Sequence, residues 1–213
     1  MTTIFETQLR QEIVRVARVV AEQGLSCSSD GNISARLDKE RILITPTLLY
    51  KRWMIADDLI VIDAEGNVLA GKPGLRPSSE LHLHIETYRQ RPDVQAVLHA
   101  HPPYATALTI AGITFPLDLT PEAALDLGEI PTAPYATPET PDLGFSIKGL
   151  IDQHDAILLS HHGSLNVGKS LLKTLIALER MEHVAQLYFL VQAMGNPVSM
   201  PAGEIERLRA VRI

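Results

Sequence analysis

The stretch Val97-Leu98-His99-Ala100-His101-Pro102-Pro103-Tyr104 constrains this chain more than any other. Residues 94–98 form an apolar, β-branched run that predicts a buried strand, and side chains at positions i and i+2 of a strand leave the same face. His99 and His101 therefore point the same way, where the strand gives way to a loop. Two converging imidazoles are either half of a first-row metal site, since neutral imidazole nitrogen suits zinc, or a pair of packed, hydrogen-bonded rings. These two residues alone leave both readings open. Ser78-Ser79-Glu80 upstream and His161-His162-Gly163 downstream bring further candidate donors into question.

The bulk properties narrow the field. A chain of 213 residues suits one large domain with a substantial core, so residues 1–213 are read as a single unit. Hydrophobic residues at 46% beside 21% charged ones exclude a disordered chain. The formal charge of -6 and the lack of a basic run argue against nucleic acid or an anionic membrane as partner. No apolar run reaches the roughly 18 residues of a membrane span, and the start lacks the basic-then-apolar pattern of a secretory signal, so a cytoplasmic address is expected. The single Cys27 cannot form an internal disulfide and reads as a small buried or inert thiol.

Thr3 and Glu6 have capping-box spacing, and Leu9, Ile13, Val16 and Val20 recur at helical intervals up to Gly24. The polar cluster 28–32 leads into a hairpin over 33–37 and 41–45, whose outer ends, Asn32 and residues 45–47, are expected to lie close together. A second hairpin joins 59–63 to 68–70. Ser78 and Ser79 read as caps of a helix running to about Arg91, and Pro103 opens a short helix to Ile110. Residues 112–141 hold six of the 14 prolines and read as irregular, with one short helix over 121–127. A helix over 142–152, a buried strand over 156–160, a long helix over 170–194 and a weaker one over 204–211 complete the reading. Strands and helices without a regular β-α-β alternation predict a mixed, largely antiparallel sheet covered by helices.

Six motifs stand in one order: Gly31-Asn32-Ile33-Ser34, Ile44-Thr45-Pro46-Thr47, Pro77-Ser78-Ser79-Glu80, His99-Ala100-His101-Pro102, Ala133-Pro134-Tyr135-Ala136-Thr137 and His161-His162-Gly163. Together they resemble the class II aldolase/adducin family, in its fuculose-phosphate aldolase branch, over almost the whole chain. The resemblance implies a single-domain three-layer α/β/α sandwich. It also implies that His99, His101 and His162 hold Zn2+, with Mn2+ or Co2+ as substitutes, and that Glu80 is the acid/base residue. Three protein ligands leave an open position, the pattern of a catalytic zinc site. Asn32, Thr47, Ser78 and Ser79 match positions where relatives bind the substrate's phosphate; hydroxyls, an amide and backbone N–H groups at a helix start make an anion cradle without a lysine. Each also has a plain role in turns and caps. His161 stands where relatives often have Asn. His82, His154 and His183 read as packing or surface residues, and His84, one helical turn from Glu80, as no ligand.

The activity so implied is cleavage of a small ketose 1-phosphate, fuculose 1-phosphate-like, to dihydroxyacetone phosphate and an aldehyde through a metal-stabilised enediolate. A homotetramer with active sites at subunit boundaries is implied as well. Two departures matter. Leu48 follows Thr47 where relatives commonly have Gly, and the tyrosine that serves the aldehyde oxygen should fall near Leu119 or Thr120, neither of which is such an acid. Decarboxylases and dehydratases of the same family therefore stay open beside the aldolase. Epimerases are disfavoured because they typically carry Asp where Glu80 stands, and a non-catalytic adducin-like scaffold is disfavoured because all three histidines are present.

Overall fold

A computed structural model describes residues 3–195 and 197–211. Helix α1 (Ile4–Glu22) starts where the Thr3 hydroxyl accepts the Glu6 N–H at 3.1 Å. Its stripe of Ile13, Val16, Ala17 and Val20 is buried, as the helical spacing requires. Two hairpins follow: β1 (Asn32–Arg36) with β2 (Arg41–Ile44), then β3 (Ile60–Asp63) with β4 (Val68–Ala70). The chain continues through α2 (Leu81–Gln90), β5 (Ala96–Ala100), α3 (Pro103–Ile110), α4 (Pro121–Asp126), β6 (Thr132–Ala133) and α5 (Pro141–Ser146). It closes with β7 (Ala156–Leu159), β8 (Gly163–Gly168), α6 (Leu171–Met194) and α7 (Glu204–Val211).

The eight strands form one sheet in the order β4-β3-β2-β1-β5-β8-β7-β6, antiparallel throughout except for β6 beside β7. Alternation along the strands sends Leu43, Val61 and Leu98 to one face, where α1 and α6 cover them, and Ile44, Ile60, Val97 and Leu165 to the other, where Leu83 and Tyr88 of α2 and Leu143 of α5 pack. The result is the expected three-layer α/β/α arrangement with a mixed, largely antiparallel sheet. It is open, not a closed barrel.

Strand β8 departs from the sequence reading, which assigned no element to residues 163–168. Glycine at both ends and Ser164 and Asn166 between them dilute the apolar signal, yet both polar residues are fully buried. The strand inserts between β5 and β7, with Leu165 opposite His99. Three smaller differences concern residue counts at element ends and one short strand. The helix expected over 142–152 ends at Ser146, β6 was not anticipated, and α2 begins at Leu81 with Glu80 itself at its cap position.

Candidate metal centre

Four elements meet at the C-terminal end of β5. His99 lies in the central strand and His101 just beyond it; His162 lies in the tight turn joining β7 to β8, and Glu80 precedes α2. Two glycines make the approach possible. A Cβ at Gly163 would overlap the Ala100 carbonyl oxygen and come within 2.9 Å of the His101 ring. At Gly31, φ is +73° and a Cβ would fall 2.8 Å from the His99 carbonyl oxygen. His161 adopts φ +56°, a left-handed conformation tolerated best by Gly and Asn, and this sharp turn carries the next residue, His162, inward.

The side chains converge closely. One Glu80 oxygen is 3.1 Å from His99 Nε2 and the other 3.1 Å from His162 Nε2, while the Nε2 atoms of His99 and His101 are 3.0 Å apart. The three rings sit at centroid separations of 4.8–4.9 Å, each pair inclined by 65°. The donor atoms of all four residues lie within 4.8 Å of one another, so the group can hold a metal ion.

The protonation pattern makes the same point. His99 Nδ1 donates to the Ser164 carbonyl at 2.9 Å, which in the neutral ring leaves Nε2 bare. That lone pair faces a carboxylate oxygen and a second imidazole nitrogen, both within 3.1 Å. A proton on His99 relieves part of this crowding of acceptors; a cation at the convergence point relieves all of it. Burial opposes protonation of His99, but the Glu80 carboxylate outweighs it and lifts the ring above the usual histidine range. Burial also works against ionisation of Glu80, and the charges and hydrogen bonds of His99 and His162 overcome it, holding the carboxyl far below its usual range. His101 is pushed down to about 3 by burial and by the neighbouring His99 and His162.

Behind Glu80 runs a buried chain of hydrogen bonds. Asn32 Nδ2 donates to Glu80 at 2.8 Å, Asn32 Oδ1 meets His84 Nε2 at 2.5 Å, His84 Nδ1 meets the Ser34 hydroxyl at 2.7 Å, and Ser34 meets the Tyr88 hydroxyl at 2.9 Å. The ionised carboxylate accepts only, which fixes the direction. Tyr88 donates to Ser34, Ser34 to His84, His84 to Asn32, and Asn32 to Glu80. Burial, reinforced by the charge on His99, pushes His84 down to about 3, so the ring stays neutral as this order demands. His84 is thus no ligand, as the sequence suggested, but it is not an idle packing residue. Asn32, expected to serve phosphate, spends one amide hydrogen and its carbonyl inside this chain. Glu80, His84 and Tyr88 recur every four residues, so the shared helical face was legible; the link through Ser34 and Asn32 was not.

A cleft of about 400 Å³ opens beside Glu80, lined by Asn32, Thr47, Lys51, Ser78 and His162 among others. Backbone bonds from Ser78 to Thr45 (3.1 Å) and from Thr47 to Arg76 (3.0 Å) stitch its lip together, and the Thr45 hydroxyl accepts from Ile33 at 3.1 Å, closing the hairpin ends as anticipated. The Ser78 hydroxyl accepts the Glu80 N–H at 3.2 Å, while Ser79 donates to Glu139 at 2.8 Å. Leu48 takes φ +58°, the conformation glycine would have, and its side chain is 77% exposed. The residue change therefore leaves the backbone path into the cleft as glycine would set it. Lys51, buried in the cleft wall, was missed in the sequence because a Lys-Arg pair in a loop reads as solvated surface. Tyr135 is exposed, and its ring lies 6.4 Å from that of His161. Thr120 caps α4 by accepting from Ala123 at 3.2 Å.

An open mixed sheet between helical layers, bearing three imidazoles and a carboxylate at the end of its central strand, defines an α/β protein with a candidate metal centre. Comparison with known proteins agrees. The profile of the Class II Aldolase and Adducin N-terminal domain matches residues 11–189. The chain is 31% identical to the 3-oxo-tetronate 4-phosphate decarboxylase of Haemophilus influenzae, across 90% of each chain. It is 32% identical to the 5-methylthioribulose-1-phosphate/5-deoxyribulose-1-phosphate aldolase of Rhodospirillum rubrum, covering 94% of this chain and 89% of that one. Among solved structures, an L-fuculose 1-phosphate aldolase superposes with a TM-score of 0.85 at 30% identity, across 95% of both chains. The chain belongs to the class II aldolase and adducin family, on its lyase side.

Proposed function

We propose that this chain is a zinc-dependent aldolase that cleaves a small ketose 1-phosphate to dihydroxyacetone phosphate and an aldehyde. The observation that carries the reading is the Glu80 carboxylate, which spans His99 and His162 at 3.1 Å each on the floor of a cleft of about 400 Å³. His99, His101 and His162 are the proposed zinc ligands, with Mn2+ or Co2+ able to substitute. Bound there, the ion supplies Lewis-acid charge to the substrate's oxygens, which stabilises carbanion character on the neighbouring carbon. Glu80 moves the proton to or from that carbon, and the bond from Asn32 keeps its carboxylate aimed. Thr47, Ser78 and Ser79 are proposed to seat the phosphate and so align the reacting carbons. Subunits are proposed to form a homotetramer with the clefts at their boundaries.

A decarboxylase reading has its own support. Loss of carbon dioxide from a 3-oxo-tetronate 4-phosphate, the substrate in the name of the Haemophilus influenzae relative, leaves the same triose phosphate. The departing carbon dioxide needs no acid, which suits a chain with Leu119 and Thr120 where an aldehyde-side tyrosine is expected. Metal-loaded protein incubated with a panel of ketose phosphates and 3-oxo acid phosphates decides between them. Dihydroxyacetone phosphate with an aldehyde supports the aldolase; the triose with carbon dioxide and no aldehyde supports the decarboxylase. Glu80→Gln should keep stoichiometric metal and lose turnover by about 10²-fold or more, the usual scale of acid-base catalysis. His101→Ala should lose both.

A further inference from the structure

We propose that Lys51 is the cationic seat for the substrate's phosphomonoester, and that Glu139 weakens the same cleft for anions by holding Ser79. The inference rests on the reading of the cleft as the place of a phosphorylated substrate and goes beyond the residues assigned above.

Lys51 is only 3% exposed. Its ammonium donates to the carbonyls of Ser29 at 2.7 Å and Leu49 at 3.3 Å, and no carboxylate lies within ion-pair distance among the described residues. An ammonium has three donors, so one is left over. Buried charges are paired as a rule, because desolvation of a lone ion is costly. The strain on this one is visible: burial pushes the Lys51 ammonium down to about 8, against the pull of Asp30 and Glu80. An oxyanion entering the cleft supplies the missing counter-charge and an acceptor for the third hydrogen.

Among the described residues that line the cleft there is no other lysine and no arginine, while Asp30, Glu80 and Glu139 all line it. Thr47 and Ser78 line the same cleft as Lys51, and Leu48, between Thr47 and Lys51 in the chain, takes a left-handed backbone. Glu139, also lining the cleft, is exposed, lies at φ +64° and accepts the Ser79 hydroxyl at 2.8 Å. A dianion arriving at Ser79 meets a carboxylate already in place; one arriving at Lys51 meets an uncompensated cation. The phosphate therefore rests chiefly on Lys51 with Thr47 and Ser78, and it reaches Ser79 only against Glu139, a like charge that tempers its affinity.

Calorimetric titration of inorganic phosphate into the metal-loaded protein tests this, alongside KM and kcat for whichever phosphorylated substrate turns over. Lys51→Met should weaken phosphate at least tenfold and raise KM with little change in kcat, Lys51→Arg should recover most of the loss, and Glu139→Gln should tighten phosphate severalfold. Wild-type phosphate affinity in a folded Lys51→Met protein overturns the proposal. Should Lys51→Met fail to fold, Glu139→Gln, an exposed change, decides: unchanged or weaker phosphate binding overturns it. Because the titration reads phosphate and not turnover, the two readings fail separately. A wild-type protein that cleaves nothing yet loses phosphate with Lys51→Met removes the proposed reaction and keeps Lys51. Normal turnover with phosphate indifferent to Lys51 does the reverse.

Discussion

At the scale of single residues, the proposed acid/base carboxylate of Glu80 is only as well placed as the amide behind it. The ionised Glu80 takes only the NH2 end of Asn32, and the donor His84 Nε2–H holds the carbonyl that faces away. Gln at position 84 can still donate there, whereas Leu cannot. His84→Gln should keep kcat within a few fold; His84→Leu should lower it about tenfold, the scale of one buried hydrogen bond, while metal content and KM hold. Equal losses in the two variants, or loss of metal in either, would assign His84 a structural role alone. Much of this centre was legible in the sequence for reasons that can be named. Period two puts His99 beside His101, whereas Ser78, Glu80 and His162 join them through the motifs that resemble the family's. Lys51 and Ser34 were not legible, because a Lys-Arg pair in a loop and a serine in a strand become informative only once another segment's partners are beside them.

Among elements, the centre depends on how tightly β8 and α3 are set against β5. The missing Cβ of Gly163 is the clearance between β8 and the β5 backbone, so Gly163→Ala must push the turn, and with it His162, away from His101. We expect a variant that folds with a lowered melting temperature and substoichiometric metal, measured by calorimetry and metal analysis. Helix α3, which leaves directly after His101, is held differently. The Glu182 carboxylate of α6 accepts the N–H groups of Tyr104 at 3.0 Å and Ala105 at 2.9 Å, a cap donated by a distant helix. Glu182→Leu should cost about 1–3 kcal/mol in urea melts, the usual penalty for stranding buried donors. Periodicity found the helices; nothing in it reveals a cap that comes from 77 or more residues away. The same limit hid β8, whose buried Ser164 and Asn166 look like loop residues until strands stand on both sides.

For the whole molecule, the neutral buried His84 couples folding to pH. Its folded value of about 3 lies below the ordinary value of 6.5. The unfolded chain therefore takes up a proton that the folded one refuses, and stability present above about 6.5 is lost as pH falls toward 3. The expected slope from this one group is about 1.4 kcal/mol per pH unit inside that window. Denaturation series between pH 7 and pH 4.5 should show a shallower slope for His84→Gln than for the parent. Parallel slopes would mean that the ring is not buried uncharged.

The sheet also ends in a telling way. Its outermost strands, β4 and β6, have three and two residues, too little free backbone for a neighbouring copy to extend the ladder. Any contact between copies of this chain therefore runs through side chains on helices and loops, and concentrated protein should not grow by edge-to-edge strand addition.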